Sequence, residues 1–133
     1  MTHEFPVRVY YEDTDLAGIV YYANYLKFIE RGRTEWVRSL GIDQVALKRD
    51  HGLVFAVRRV EADYLRPAKF DDELTVTTEL SAVAGARLIL EQAVWRAGEK
   101  LFSAAVTIVC LSEAGAPARL PATLRQRLVP SLH

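Results

Sequence analysis

Three carboxylates fall within four positions, at Glu12, Asp13 and Asp15, immediately ahead of a stretch with helical spacing. The full run is Val9-Tyr10-Tyr11-Glu12-Asp13-Thr14-Asp15-Leu16-Ala17-Gly18-Ile19-Val20-Tyr21-Tyr22-Ala23-Asn24-Tyr25. A helix start leaves backbone N–H groups without intrahelical partners and carries a partial positive charge. Such donors can hold an oxyanion as charge builds on a carbonyl oxygen. A carboxylate beside them can attack the carbonyl carbon, or deprotonate a water that does. The spacing can therefore supply both parts of an acyl-transfer site. Taken alone, a short acidic loop before a helix is more often a solvated turn with a favourable dipole contact.

The elements around this segment follow from periodicity. Val7, Val9 and Tyr11 alternate with Arg8 and Tyr10, so Phe5 to Tyr11 reads as a strand. The acidic run that follows is a loop, with Gly18 free to take unusual backbone angles. A helix starts near Tyr22 to Asn24, with Asn24 as a candidate N-cap, and runs to about Leu40. Leu26, Ile29, Arg33, Trp36, Val37 and Leu40 share a stripe, and Gly41 is a plausible stop. Gly32 costs roughly 1 kcal/mol against alanine in mid-helix, and close approach of another backbone would explain it. Asp43 looks like the cap of a short second helix that ends before His51-Gly52.

Leu53 to Arg66, Leu74 to Ser81, Arg87 to Trp95 and Leu101 to Leu111 read as strands with turn-length gaps, which suggests an antiparallel meander. Pro121 to Leu128 is a short terminal helix. One long helix and five mostly antiparallel strands give an α+β domain spanning residues 1–133, with the sheet curled around the helix. An edge strand on so small a sheet stays unpaired unless another chain meets it, so a homodimer or homotetramer is expected.

Composition narrows the function. Lys plus Arg and Asp plus Glu stand at 17 each, which argues against a nucleic-acid binder. The one cysteine, Cys110, cannot form an internal disulfide. No signal sequence is read at the N-terminus, and no uncharged apolar run approaches the roughly 20 residues that span a bilayer. The expected location is the cytoplasm.

The loop and helix resemble the active-site signature of the 4-hydroxybenzoyl-CoA thioesterase family, which has the hot-dog fold. Within it the chain most resembles the Tol-Pal-associated acyl-CoA thioesterase branch. The matching words are Tyr10-Tyr11-Glu12-Asp13-Thr14-Asp15, Gly18-Ile19-Val20-Tyr21, Asn24-Tyr25-Leu26-Lys27-Phe28, Glu30-Arg31 and Arg33-Thr34-Glu35. Weaker matches continue in Tyr64-Leu65-Arg66-Pro67-Ala68 and Phe70-Asp71-Asp72-Glu73-Leu74. The resemblance implies hydrolysis of an acyl-CoA thioester, with Asp15 as nucleophile or general base. It also implies that the backbone N–H of Tyr22 polarises the carbonyl. Gly18, Tyr21, Asn24 and Tyr25 are expected beside the substrate. The Tol-Pal-associated branch usually has histidine where this chain has Tyr22, and the hydroxybenzoyl-CoA branch has tyrosine there. Coenzyme A enters as part of the substrate, and no separate cofactor is implied. An acyl-carrier-protein thioester is the alternative substrate.

Arg58, Arg59, Arg66 and Arg87 are candidates for the phosphates of coenzyme A, because guanidinium groups match phosphate geometry. The tyrosines at 10, 11, 21, 22 and 25 can line an acyl or pantetheine tunnel, or pack an interface. Cys110, in an apolar strand, reads as a core thiol and Trp36 as core, while Trp95 is ambiguous. His51 reads as a surface residue, and His3 and His133 as terminal ones. No metal is implied, because no HExxH, cysteine cluster or calcium-loop spacing is present. A dehydratase or hydratase would want a histidine paired with a carboxylate, and the motif has none. A catalytically weak acyl-thioester binding module is the third reading.

Overall fold

The computed structural model describes residues 2–132. The strands are β1 (His3–Arg8), β2 (Val54–Tyr64), β3 (Glu73–Ala84), β4 (Arg87–Arg96) and β5 (Glu99–Leu111). The helices are α1 (Asn24–Ser39), α2 (Gln44–His51) and α3 (Ala122–Leu128). The sheet order is β1-β3-β4-β5-β2, and every neighbouring pair is antiparallel. Only β3, β4 and β5 form a meander. The expected meander of all four later strands fails at β2, which pairs with β5 on the far edge, Tyr64 opposite Phe102 and Val54 opposite Leu111. Residues 65–72 are long enough to carry the chain across, and they pass the acidic loop on the way. There the Val20 N–H donates to the Ala68 carbonyl at 2.8 Å.

The first strand ends at Arg8, three residues earlier than its alternation suggests, because its partner β3 begins at the opposing Glu73. Val9 makes one last pair of contacts with residues 71 and 72, and Tyr11–Asp13 then turn as one 3-10 helix. His3, expected at a loose terminus, lies inside β1 with a buried Nδ1. His133 lies outside the described residues.

The long helix covers the concave face of the sheet. Its buried apolar side chains are Tyr25, Phe28, Ile29, Trp36 and Val37, with Gly32 between them. Large apolar side chains each contribute about 1.5–3 kcal/mol on burial, so this stripe anchors the helix. Leu26, placed on the stripe by spacing, is 41% exposed, because the buried face is centred nearer Tyr25 and Phe28. Gly32 has a direct cause. A Cβ there would stand 2.5 Å from Val76 Cγ1 on β3, so it is a strand side chain, rather than a backbone, that needs the room. Asp43 caps α2 as its position suggests, accepting from the Val45 and Ala46 N–H groups at 3.0 Å each.

The second strand carries an irregularity. Val57 pairs with Ile108 and Arg59 with Thr107, so Arg58 is an extra residue, a bulge. The bulge shifts the alternation by one. Phe55 and Val57 before it therefore share a face with Val60, Ala62 and Tyr64 after it. That face looks towards the helix, since Phe55 and Ala62 pack on the core and Tyr64 on Tyr25 and Phe102. Yet Val57, Val60 and Tyr64 are 47%, 38% and 48% exposed, because β2 is an edge strand with no neighbour on its outer side.

Candidate active site

The acidic loop is held by backbone and by Asp13. The Asp15 N–H donates to the Ile19 carbonyl at 3.0 Å, and the Tyr21 N–H to the Asp13 carbonyl at 2.9 Å. Gly18 closes the turn at φ +79°, a left-handed conformation that glycine adopts without penalty, and its N–H reaches the Asp15 carbonyl at 2.9 Å. The loop therefore folds back on itself and presents positions 15 to 17 to solvent.

The two aspartates of the motif have different situations. Asp13 is buried, and both its oxygens are occupied. Oδ2 accepts from the Tyr10 N–H and Oδ1 from the Asn24 amide, each at 2.8 Å. Asp15 is exposed, and among the described residues its only side-chain bond is from the Ala17 N–H to Oδ1, at 2.9 Å. One aspartate fixes the loop to the helix, and the other has an oxygen open to a reactant. Glu12 is exposed on the 3-10 turn.

Asn24 is not the helix cap. It is the first helical residue, Ala23 holds the cap position without a side-chain bond, and the Asn24 amide serves Asp13. Its buried side chain ties the loop to α1. Tyr25 is likewise buried, stacked on Phe102 at 5.1 Å between ring centres, with its hydroxyl accepting from the Ala68 N–H at 3.0 Å. Burial raises its phenol pKa, while the Ala68 N–H and Arg96 act to lower it. Tyr21 and Tyr22 are exposed, 5.0 Å apart between ring centres.

At the helix entrance the Asn24 N–H is used by the Tyr21 carbonyl, at 2.8 Å. The Tyr22 N–H has no protein acceptor among the described residues. The Tyr22 carbonyl does have a partner, the Tyr64 hydroxyl, which donates to it at 3.0 Å. Tyr64 belongs to the weaker, second stretch of matching sequence, and its own pattern marks it only as a strand residue. Its ring packs edge-on against Tyr22 and Tyr25.

The arginines do not gather at this loop within one chain. Arg58 is the exposed bulge residue, and Arg59 pairs with Glu61 at 2.5 Å. Arg87 begins β4, at the end remote from the loop, opposite Ala84. Arg66 pairs with Glu99 at 3.2 Å. Cys110 is fully buried, and desolvation pushes its thiol pKa up, as befits a core cysteine. Trp36 is core, and the Trp95 indole donates to Thr77 Oγ1 at 3.0 Å. Among the described residues, no three His, Cys, Asp or Glu side chains are grouped to hold a metal ion.

A five-stranded antiparallel sheet wrapped on one long helix, with a carboxylate loop at the helix entrance, defines a hot-dog fold of the thioesterase type. The sequence comparisons agree. The family model described as Thioesterase superfamily matches residues 17–103, and the chain belongs to that superfamily. It is 48% identical over 107 residues to "Acyl-CoA thioesterase YbgC" of Haemophilus influenzae, covering 80% of this chain and 79% of that one. It is 42% identical over 108 residues to "Acyl-CoA thioester hydrolase YbgC" of Escherichia coli, covering 80% of each. A crystal structure of a probable thioesterase from Bartonella henselae superposes with a TM-score of 0.86 at 41% identity, over 91% of this chain and all of that one.

Proposed function

We propose that this chain hydrolyses acyl-CoA thioesters, with Asp15 as the reacting carboxylate and the Tyr22 N–H as the oxyanion donor. The observation that carries the reading is the contrast within the motif. Asp13 is buried and doubly hydrogen-bonded, while Asp15 is exposed near a helix entrance whose Tyr22 N–H is uncommitted. In the general-base route Asp15 takes a proton from water as the water oxygen bonds to the acyl carbon. The carbonyl oxygen gains negative charge against the Tyr22 N–H. The C–S bond then breaks and coenzyme A leaves as thiolate, which is reasonable for a thiol of pKa about 8.5. In the nucleophilic route the Asp15 carboxylate bonds to the acyl carbon first, thiolate leaves, and water cleaves the resulting anhydride. Arg58, Arg59 and Arg87 remain candidates for the phosphates.

The reading includes a homodimer. Val57, Val60 and Tyr64 on β2, with Tyr22 and Leu26 on and before α1, leave an exposed apolar patch beside an unpaired strand edge. A second copy is its natural cover, and two such dimers can associate further as a tetramer. No helix among the described residues is long and apolar enough to cross a membrane. The compartment proposed is the cytoplasm, in keeping with the unpaired Cys110.

The test is release of free thiol from 4-hydroxybenzoyl-, short-chain and long-chain acyl-CoA by wild type and Asp15→Asn. Asp15→Asn should lower kcat by about 100-fold or more, with the fold retained. Full activity in the variant overturns the role of Asp15. No turnover of any acyl-CoA by folded wild type overturns the coenzyme A reading, and turnover of an acyl-carrier-protein thioester would then identify the substrate.

A further inference from the structure

A cavity of about 250 Å³ lies at the other half of α1, between the helix and strands β2, β4 and β5. Its apolar wall includes Trp36, Val37, Phe55, Leu90 and Ile108. Arg33, nine residues beyond the helix start, also lines it. At 1.5 Å rise per residue that is about 14 Å along the axis from the entrance at Asn24. Within one chain, Arg33 therefore stands well away from the Asp15 loop.

Arg33 is held there by a buried network. Gln92 on β4 is 2% exposed. Its amide nitrogen donates to the Ile29 carbonyl and to Thr78 Oγ1, at 2.9 Å each. With both amide protons committed, only Oε1 remains, and it accepts from Arg33 Nη1 at 2.9 Å. That bond satisfies one of the five guanidinium N–H groups. Among the described residues Arg33 has no other side-chain hydrogen bond and no ion pair. The neighbouring Glu30 also lines the cavity, and its carboxylate accepts from the Thr34 hydroxyl at 2.7 Å. Burial pulls the Arg33 pKa down and Glu30 pulls it back up. Guanidinium groups nonetheless stay charged in proteins.

An anchored cation with spare donors beside an apolar cavity matches a ligand with one anionic end and an aliphatic body. We propose that this cavity binds a carboxylate-bearing aliphatic chain, with the carboxylate on Arg33 and the chain against Trp36, Phe55 and Leu90. A volume of about 250 Å³ with a largely apolar wall suits an aliphatic chain of modest length. Carboxylate suits the site because two parallel N–H donors of one guanidinium match its two oxygens. Two sources offer that chemistry, a free carboxylic acid and the distal carboxylate of an ω-carboxyacyl thioester.

The binding experiment stands apart from the thioesterase reading. Tryptophan fluorescence of the full chain, to which Trp36 contributes, is titrated with octanoate and with octanamide. Octanoate should bind at least about tenfold more tightly, as expected of a charge-assisted bond. Arg33→Met should abolish the preference, and Arg33→Lys should keep part of it. The wild-type comparison needs no variant, so a misfolded variant does not decide the matter. Absence of saturable octanoate binding, equal binding of the amide, or a preference that survives in folded Arg33→Met would each overturn the proposal. Thiol release from octanoyl-CoA and 8-carboxyoctanoyl-CoA then separates the sources. Faster turnover of the carboxylated substrate that depends on Arg33 identifies the thioester tail, and octanoate binding without that effect identifies the free acid. Loss of turnover with octanoate binding intact would fail the thioesterase reading alone.

Discussion

The hydroxyl of Tyr64 donates to the carbonyl of Tyr22 across 3.0 Å, joining the last residue of β2 to the peptide just ahead of α1. The Tyr22 N–H proposed to meet the oxyanion is on the same residue. That N–H belongs to the peptide before Tyr22 and the bonded carbonyl to the peptide after it, so the bond restrains the residue that joins the two. Tyr64 is in turn packed by Phe102 at 5.0 Å and Tyr25 at 5.6 Å between ring centres. Burial raises its phenol pKa, which keeps the hydroxyl a donor at neutral pH.

Tyr64→Phe removes that one bond and leaves the ring. Such a bond is worth about 0.5–1.5 kcal/mol net, so kcat should fall by about three- to tenfold with KM little changed. Steady-state thiol release on the best acyl-CoA substrate measures both. An unchanged kcat would show that the Tyr22 peptide is positioned without Tyr64.

Asp72 ties the crossing from β2 to β3. Its Oδ2 accepts from the Lys69 N–H at 2.9 Å and from Arg96 Nη1 at 2.8 Å. Desolvation pushes its pKa up, but these bonds and the nearby cations outweigh it and leave the carboxyl below its ordinary value. A depressed carboxylate contributes stability above its unfolded pKa of about 3.9, and that contribution is lost as pH falls through the folded value. Asp72→Asn should therefore melt below wild type at pH 7, and the gap should close in acid. Thermal unfolding followed from pH 7 to pH 3 tests this. A gap that stays constant over the range would rule out the ionised pair as its cause.

Val60→Lys places a charge in the uncovered apolar patch without touching the core of a single chain. Sedimentation velocity should show the wild type as a dimer or tetramer and the variant at about the mass of one chain. A variant that keeps the wild-type assembly would move the interface away from β2.

Local features of the fold were legible in the sequence, and those set by distant partners were not. The Asp43 cap and the turn at Gly18 depend on neighbours a few residues away, so residue type revealed them. The crossing of β2 to the far side of β5 depends on a pairing with no local signature. Leu26 follows helical spacing, but its exposure depends on how the sheet meets the helix. The site divides the same way. Asp15 and Tyr22, expected in the site by resemblance, are exposed, and Asn24 and Tyr25, expected beside the substrate, are packed against Asp13 and Phe102. Tyr64 reaches Tyr22 across 42 positions, and Gln92 reaches Ile29 and Arg33 across 63 and 59, which no periodicity reveals.

The bulge at Arg58 is the point along β2 where the strand's length can change without turning its side chains over. The strand could exchange valine for isoleucine along its inner face and keep its shape. Deleting Arg58 would only remove the bulge, leaving Ala62 opposite Ala104 and Tyr64 opposite Phe102, whereas deleting a residue after Val60 would turn Tyr64 away from Tyr22. Divergent forms of this protein should therefore tolerate many substitutions in β2, and single-residue gaps in that strand should fall at the bulge.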